Sequence, residues 1–353
     1  MKDRIQYDIA LVGAGPANLA LALRLVTTST VPLRLAVLEK SKNIGSHLLS
    51  GAVSNPRTLA KLFPDWSTQE DFPLQGIVKD SYLTVLGSNE NEDVPRFAIP
   101  PYFKKEGYAV LNISDLAHYM AEEIKKIAAE KDNIIVDFYP GFPAQEILFD
   151  GNKVIGIKVD NSSDERANNL YANVTVFGEK GFVSRDLIER FNLRKSAQTW
   201  AVGVKEVWEV PRDYEGKVWH TVGYPLVAGE LGGGFIYGLK NNKIILGLIT
   251  GLDSPNPNIR PVTKLQTLKK HPWVQELIKD GKLLQYGASV LPEGGYYALP
   301  EKFAVSGAML VGDALGTLDV KRFSGVDKAM ESGIIAADIL SLASANNEFS
   351  ESF

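Results

Sequence analysis

The chain has 353 residues, enough for two domains or for one large α/β domain carrying an insertion. Apolar residues make up 45% and charged residues 23%, which excludes a disordered chain. The formal charge of −4, without a basic run, argues against nucleic-acid binding, and the absence of cysteine excludes disulfides, catalytic thiols and cysteine-ligated clusters in this sequence.

Residues 7–12 are a short apolar run of buried-strand type. Gly13-Ala14-Gly15-Pro16-Ala17-Asn18 follows as a turn. Residues 19–26 are apolar apart from Arg24 and predict a helix. Residues 33–38 are a second apolar run, closed by Glu39. Together they make one βαβ unit and predict a parallel sheet. Residues 50–110 are rich in proline and read as loops, short helices and an edge strand near 82–86. Ser114 is the expected N-cap of a helix through Lys131, with Leu116, Met120, Ile124 and Ile127 on its apolar face. Residues 134–139, 146–149, 154–159 and 174–177 read as strands. Asp150-Gly151-Asn152 makes a hairpin of the middle two.

From Thr199 the apolar period changes to two. Residues 200–210, 218–222, 235–239 and 244–249 predict an antiparallel sheet inserted into the α/β domain, with a hairpin turn at Asn241-Asn242. A helix over 263–277, a buried strand at 309–311 and a last helix over 325–342 follow. The tail from Ser344 is polar and expected to fray. The N-terminus runs almost directly into a strand, leaving no room for a targeting peptide. The uncharged stretch 9–23 is too short and too broken to span a bilayer, so a cytoplasmic protein is expected.

Gly13-x-Gly15-x-x-Asn18 opens a helix directly after a strand. The first glycine permits the tight turn, and the second lets the backbone approach a pyrophosphate held at the positive helix end. Glu39 ends the next strand, where a carboxylate hydrogen-bonds an adenosine ribose. Asn18 departs from the small residue expected for close helix–strand packing. Near the other end, Val311-Gly312-Asp313-Ala314 follows a buried strand and precedes the last helix. An aspartate there suits the ribitol of a long flavin nucleotide, so the pair of motifs points to FAD rather than NAD. A single dinucleotide fingerprint disfavours reductases that bind FAD and NAD(P)H separately. The histidines at 47, 118, 220 and 271 lack metal-ligand spacing, and no metal is expected.

Several longer strings carry a family resemblance. They include Ile44-Gly45-Ser46-His47-Leu48-Leu49-Ser50-Gly51-Ala52, Leu62-Phe63-Pro64-Asp65-Trp66, Tyr139-Pro140-Gly141-Phe142 and His220-Thr221-Val222-Gly223-Tyr224-Pro225-Leu226. Gly247-Leu248-Ile249-Thr250-Gly251-Leu252-Asp253, Lys270-His271-Pro272, Glu293-Gly294-Gly295-Tyr296 and Ala329-Met330-Glu331-Ser332-Gly333 continue it. From about Tyr7 to Ile339 the chain resembles the electron-transfer-flavoprotein:ubiquinone oxidoreductases. The resemblance implies an α/β FAD-binding Rossmann-like domain of the aromatic-hydroxylase type, interrupted by an antiparallel-sheet (α+β) quinone domain. The FAD part then comprises 1–80, 106–195 and 300–343, the quinone part 81–105 and 196–299, and 344–353 is a flexible tail.

The resemblance also distributes the site. Gly13, Gly15, Pro16, Ala17, Glu39 and Lys40 fall at the adenosine and pyrophosphate, and Ala144 at the adenine side. Ser50 and Gly51 lie near the flavin ring. Gly312 and Asp313 hold pyrophosphate or ribitol. Gly325 and Val326 open a helix aimed at the pyrimidine edge, where a helix N-terminus favours negative charge. Gly232 and Gly233 fall at the quinone, with a bulged strand start as the lesser alternative. Residues 94–105 resemble the family's membrane-dipping region and equally suit a loop over the core.

The family's cysteine-bearing ferredoxin-like module has no counterpart in this sequence. The string Gly178-Glu179-Lys180-Gly181-Phe182-Val183-Ser184-Arg185 also departs from the family and looks more like FAD hydroxylases. Leu231 stands where the family has an aromatic residue. The expectation is an FAD oxidoreductase passing electrons to a quinone from an electron-transfer flavoprotein or a separate ferredoxin-like subunit. It would be cytoplasmic, peripheral on the membrane through 94–105, with the flavin rather than a side chain carrying the chemistry. The rival readings are an FAD monooxygenase or isoprenoid reductase using NAD(P)H, and a non-catalytic flavin-binding relic.

Overall fold

The computed structural model describes residues 6–48, 51–160, 169–254, 256, 258–346 and 348–349. The chain opens with β1 (Gln6–Val12), α1 (Pro16–Thr28) and β2 (Leu33–Glu39). It continues with β3 (Ala52–Ser54), α2 (Pro56–Leu62), β4 (Leu74–Ile77), β5 (Asp80–Leu86), β6 (Asn91–Asp93), β7 (Ala109–Leu111) and α3 (Ile113–Ala129). Then come β8 (Ile134–Pro140), β9 (Ala144–Asp150), β10 (Lys153–Val159), β11 (Asn169–Phe177) and α4 (Phe182–Arg190). Strands β12 (Trp200–Glu209), β13 (Lys217–Gly223), β14 (Gly232–Leu239) and β15 (Lys243–Gly251) lead to α5 (Pro261–Leu268), α6 (Pro272–Ile278) and β16 (Lys282–Pro292). The chain closes with β17 (Ala304–Val305), β18 (Ala308–Leu310), α7 (Gly312–Leu315) and α8 (Val326–Asn346).

One sheet runs β17-β18-β11-β1-β2-β8, with the β9–β10 hairpin paired to β11. Strands β18, β11, β1, β2 and β8 are mutually parallel, as the βαβ reading requires. Ile9, Leu11, Leu35 and Val37 pack on α1, α3 and α8, while Ala10, Val12, Ala36 and Leu38 pack under the hairpin and α4. Burial on both faces explains why these strands read as unbroken apolar runs.

The second sheet runs β16-β12-β15-β14-β13-β5-β6. Its pairs are antiparallel except β13 with β5, which is parallel because β5 arrives from far upstream in the chain. Leu239 pairs with Lys243 across a three-residue turn in which Asn241 and Asn242 both have φ near +60°. One face, with Val204, Ile236, Leu246 and Leu248, is covered by Leu265, Leu268 and Val274 of α5 and α6. The other, with Val207, Val218, Tyr237 and Ile245, packs on Val53, Val78 and Val110 from the small sheet β3-β7-β4 and its flank. The small sheet thereby packs on both large ones, Ala109 and Leu111 in the main core and Val110 against the second sheet.

Several expectations are corrected. Asn112, not Ser114, caps α3: its side chain accepts from Ser114 N and Asp115 N. The single helix expected over 263–277 is two, because Pro272 opens a new first turn and the His271 ring caps it. Strand β16 was not expected; it lies at a sheet edge and is mostly exposed. Helix α8 reaches Asn346, past the expected start of the tail, and Phe349 folds back onto the main core. Among the described residues no helix is long and apolar enough to cross a membrane.

Candidate functional site

The glycine turn lies at the carboxyl end of β1, where doubly wound sheets bind their ligands. Gly13 has φ +93° and donates to Leu38 O at 2.9 Å. Before Gly15 the space is open, and no side chain caps the N-terminus of α1. The first-turn amides therefore face the cleft without an acidic partner, a ready anion site. Pro16 and Ala17 form that first turn. Glu39 is tied to the same turn: Oε2 accepts from Ala14 N at 3.1 Å, and Oε1 from Ser41 N and Oγ at 2.9 and 2.8 Å. A carboxylate has about four acceptor positions, so one stays open. Phe142 N donates to Glu39 O, which brings Ala144, at the start of β9, to the same end; Lys40 is exposed beside it. Asn18 is wholly buried, and its Nδ2 donates to Val12 O and Gly13 O, both at 2.9 Å.

The two distant motifs meet. A Cβ on Gly312 would stand 2.8 Å from that of Ala17, so the strand end after β18 packs directly on the first turn of α1. Asp313 is held by Lys180, Nζ to Oδ2 at 2.9 Å. Lys180 belongs to the string that departs from the family pattern. Glu179 beside it accepts from Ser184 N and Gly181 N, closing the N-terminus of α4.

The opposite wall is the inner face of the second sheet. Lys205 projects from β12 and donates to Gly51 O at 3.2 Å. Desolvation first, and then the charge of Lys180, push its ammonium pKa down to about 7. Gly247 and Phe235 stand in register with Lys205, and the Phe235 ring fills the space a Gly247 side chain would take. Ser50 lies outside the described residues; Gly51 has φ +98° and abuts Ile245 of β15.

Gly325 and Val326 begin α8, but its first turn already holds a buried carboxylate, Asp327, which accepts from Ser324 Oγ. Beside it the buried Lys105 donates to Arg322 O at 2.6 Å. Phe323 stacks on His220 at 5.0 Å between ring centres, and Phe103 packs against both. Burial, with Lys105 nearby, pushes the His220 pKa down to about 3, so this ring is neutral. The rings bind residues 101–103 and 319–324 to the second sheet.

Gly232 and Gly233 are required by the sheet itself. A Cβ would stand 2.1 Å from Ile249 O at Gly232 and 2.7 Å from Thr221 O at Gly233. Both lie at the start of β14, beside the exposed side chains of Leu231, Val222, Val227 and Leu252. In residues 94–105 the exposed tip is 95–98, with Phe97 at 91% exposure, while Ile99 and Lys105 are buried. His118 is on the exposed face of α3.

The ubiquinone-binding domain of ETF-QO matches residues 200–291, the stretch that builds β12 to β16. The electron transfer flavoprotein-ubiquinone oxidoreductase of Dictyostelium discoideum is 36% identical over 357 residues, covering 96% of this chain and 57% of the relative. That of Pseudomonas aeruginosa is 36% identical over 366 residues, covering 98% and 65%. The chain is similar to these oxidoreductases over nearly all of its own length and spans roughly three-fifths of theirs.

Among solved structures, a geranylgeranyl bacteriochlorophyll reductase-like protein from Thermoplasma acidophilum superposes with TM-score 0.72 at 17% identity. The match covers 99% of this chain and 81% of that one. A flavin-dependent brominase gives 0.67 at 16% identity, covering 98% and 81%. The ETF-QO-like chain thus has the fold shared by FAD-dependent enzymes of the aromatic-hydroxylase type, with the inserted sheet that its sequence predicts. Sequence reasoning missed Lys180, Lys205 and the Phe103–His220–Phe323 rings. The available signal was a lysine directly after the apolar first half of β12.

Proposed function

We propose that this chain is an FAD-dependent oxidoreductase that passes electrons to a quinone, its donor being an electron-transfer flavoprotein or a ferredoxin-like subunit. The observation that carries the reading is the meeting of the two nucleotide motifs, Gly312 against Ala17, in a chain whose residues 200–291 match the ubiquinone-binding domain and reach Gly51 O through Lys205. The residues fit the cofactor. An uncapped helix N-terminus with open space before Gly15 suits a pyrophosphate, and Glu39 keeps an acceptor position for a ribose hydroxyl. Lys40 and Ala144 flank that end, and Asp313 would face the ribitol, steadied by Lys180. Gly51 and the Gly325–Val326 turn would bracket the ring.

FAD, when bound, supplies the two-electron chemistry, and the protein contributes position, charge and exclusion of water. The Phe103–His220–Phe323 cluster seals the cleft where the two sheets meet. We assign 1–80, 106–195 and 300–343 to cofactor binding and 81–105 and 196–299 to the quinone. The start of β14, at Gly232 and Gly233, adjoins an apolar rim that suits a quinone tail. The exposed tip with Phe97 suits contact with the cytoplasmic surface of a membrane.

The test is anaerobic photoreduction of the FAD-loaded protein followed by mixing with a short-chain quinone, read by visible flavin absorbance. Rapid reoxidation is expected. A flavin that stays reduced until oxygen is admitted would overturn the quinone assignment.

A further inference from the structure

We propose that Lys205 is the positive charge against which this cleft holds the redox ring of its cofactor, favouring the reduced, electron-rich state. The inference rests on the FAD reading above and adds to it the residue that sets the ring's electrostatics. Lys205 stands on the inner face of β12, two residues from Val207, which packs against Val53 and Val110. Its one hydrogen bond among the described residues is to a backbone carbonyl, Gly51 O, and no described carboxylate pairs with it. A cation this deep without an anion is costly, unless a ligand completes it.

The surroundings are not a closed core. Lys205 is heavily desolvated, yet part of its side chain remains accessible. The charges also trace a path. Glu39 and the start of α1 mark one end, Asp313 with Lys180 the middle, and Lys180 is in turn the charge felt by Lys205. A long anionic nucleotide laid along that path ends beside Gly51 and Lys205.

The other local source of positive field is weakened. The N-terminus of α8 carries Asp327 buried in its first turn, which offsets the dipole there. Lys105, the nearby cation, is turned to Arg322 O and feels the charge of Asp327. Lys205 is therefore the cation left to answer charge that develops on reduction.

The test compares FAD-loaded wild type with Lys205→Met, Lys205→Gln and Lys205→Arg, equilibrated anaerobically with dyes of known potential. Met and Gln should lose a tenfold to hundredfold preference for the reduced state, about 30–60 mV at 29.6 mV per decade for a two-electron couple. Arg should stay within threefold of wild type. Since Met has a similar length and no charge, the Met variant should melt no lower than wild type without cofactor, and Gln supplies a second reading of the charge. Equal potentials in all four proteins would overturn the proposal, and so would an Arg variant that falls as far as Met. A wild type that takes up no FAD would overturn the FAD reading and this one with it. FAD bound at an unchanged potential in the Met variant would overturn this one alone.

Discussion

Asn18 makes its side chain part of the backbone turn. Nδ2 donates to Val12 O and to Gly13 O, pinning α1 to the end of β1. Room for the carboxamide comes from Gly178: a Cβ there would stand 2.7 Å from Nδ2. The usual arrangement, a small residue on the helix, is inverted, with the small residue on the facing strand end. Gly178→Ala should therefore destabilise the protein by about 1–3 kcal/mol through overpacking. Asn18→Ala should cost about 1–2 kcal/mol, from buried hydrogen bonds and lost packing. The double variant should be more stable than the sum of the two single losses allows, since the clash disappears with the carboxamide. Denaturant unfolding of the four proteins checks this, and strict additivity would refute the packing account.

At the scale of elements, the ends of β12, β15 and β16 converge around two carboxylates. Glu293 N donates to Thr199 O, Leu252 N to Trp200 O, and Glu293 feels the charge of Asp253. Burial first, and then the Asp253 charge, push the Glu293 carboxyl up to about 7. The folded chain thus keeps a proton that the unfolded chain loses near pH 4.5. This contribution to stability is fully present below pH 4.5 and lost as pH rises to about 7. Allowing for partial solvation it amounts to about 2 kcal/mol. The stability of wild type minus that of Glu293→Gln should fall over this window, and a difference flat in pH would refute it. These elements also show what the sequence makes legible. The β1–α1–β2 unit is readable because its strands are buried on both faces and its turn requires glycine. Strand β16 is not, since an exposed edge strand lacks apolar contrast. The phase of β12 is hidden because both faces are covered. Val204 and Glu206 face α5 and α6, and only tertiary packing reveals that Lys205 and Val207 face the small sheet and the cleft. Long-range pairing, such as β13 with β5, has no local signature. The two glycine motifs are legible in the sequence, whereas Lys180 and Lys205, which contact Asp313 and Gly51 beside them, are not.

For the whole molecule, cofactor binding and protonation should be linked through Lys205. Without cofactor its ammonium titrates near pH 7, far below its ordinary range, because the deep cleft disfavours the charge and Lys180 adds repulsion. A bound anionic nucleotide would favour the charged form and raise that pKa again. Below pH 7 Lys205 is charged in both states and contributes no linkage. Above pH 7 the cofactor-free chain has released the proton and must take it up on binding. FAD affinity should therefore fall as pH rises past 7, by up to tenfold per unit, until the pKa of the loaded protein is reached. In the proposed site Glu39 and Asp313 would face the same ligand with Lys180 beside it, so the assignment to Lys205 needs its own control. Calorimetric titration of cofactor-free protein with FAD at pH 8, in two buffers of different ionisation enthalpy, should report uptake of close to one proton. Lys205→Met should report almost none and bind FAD with little dependence on pH between 7 and 9. Glu293→Gln, altered outside the cleft, should behave as wild type. Equal heats in the two buffers for the wild type would mean that Lys205 does not change its charge when the nucleotide arrives.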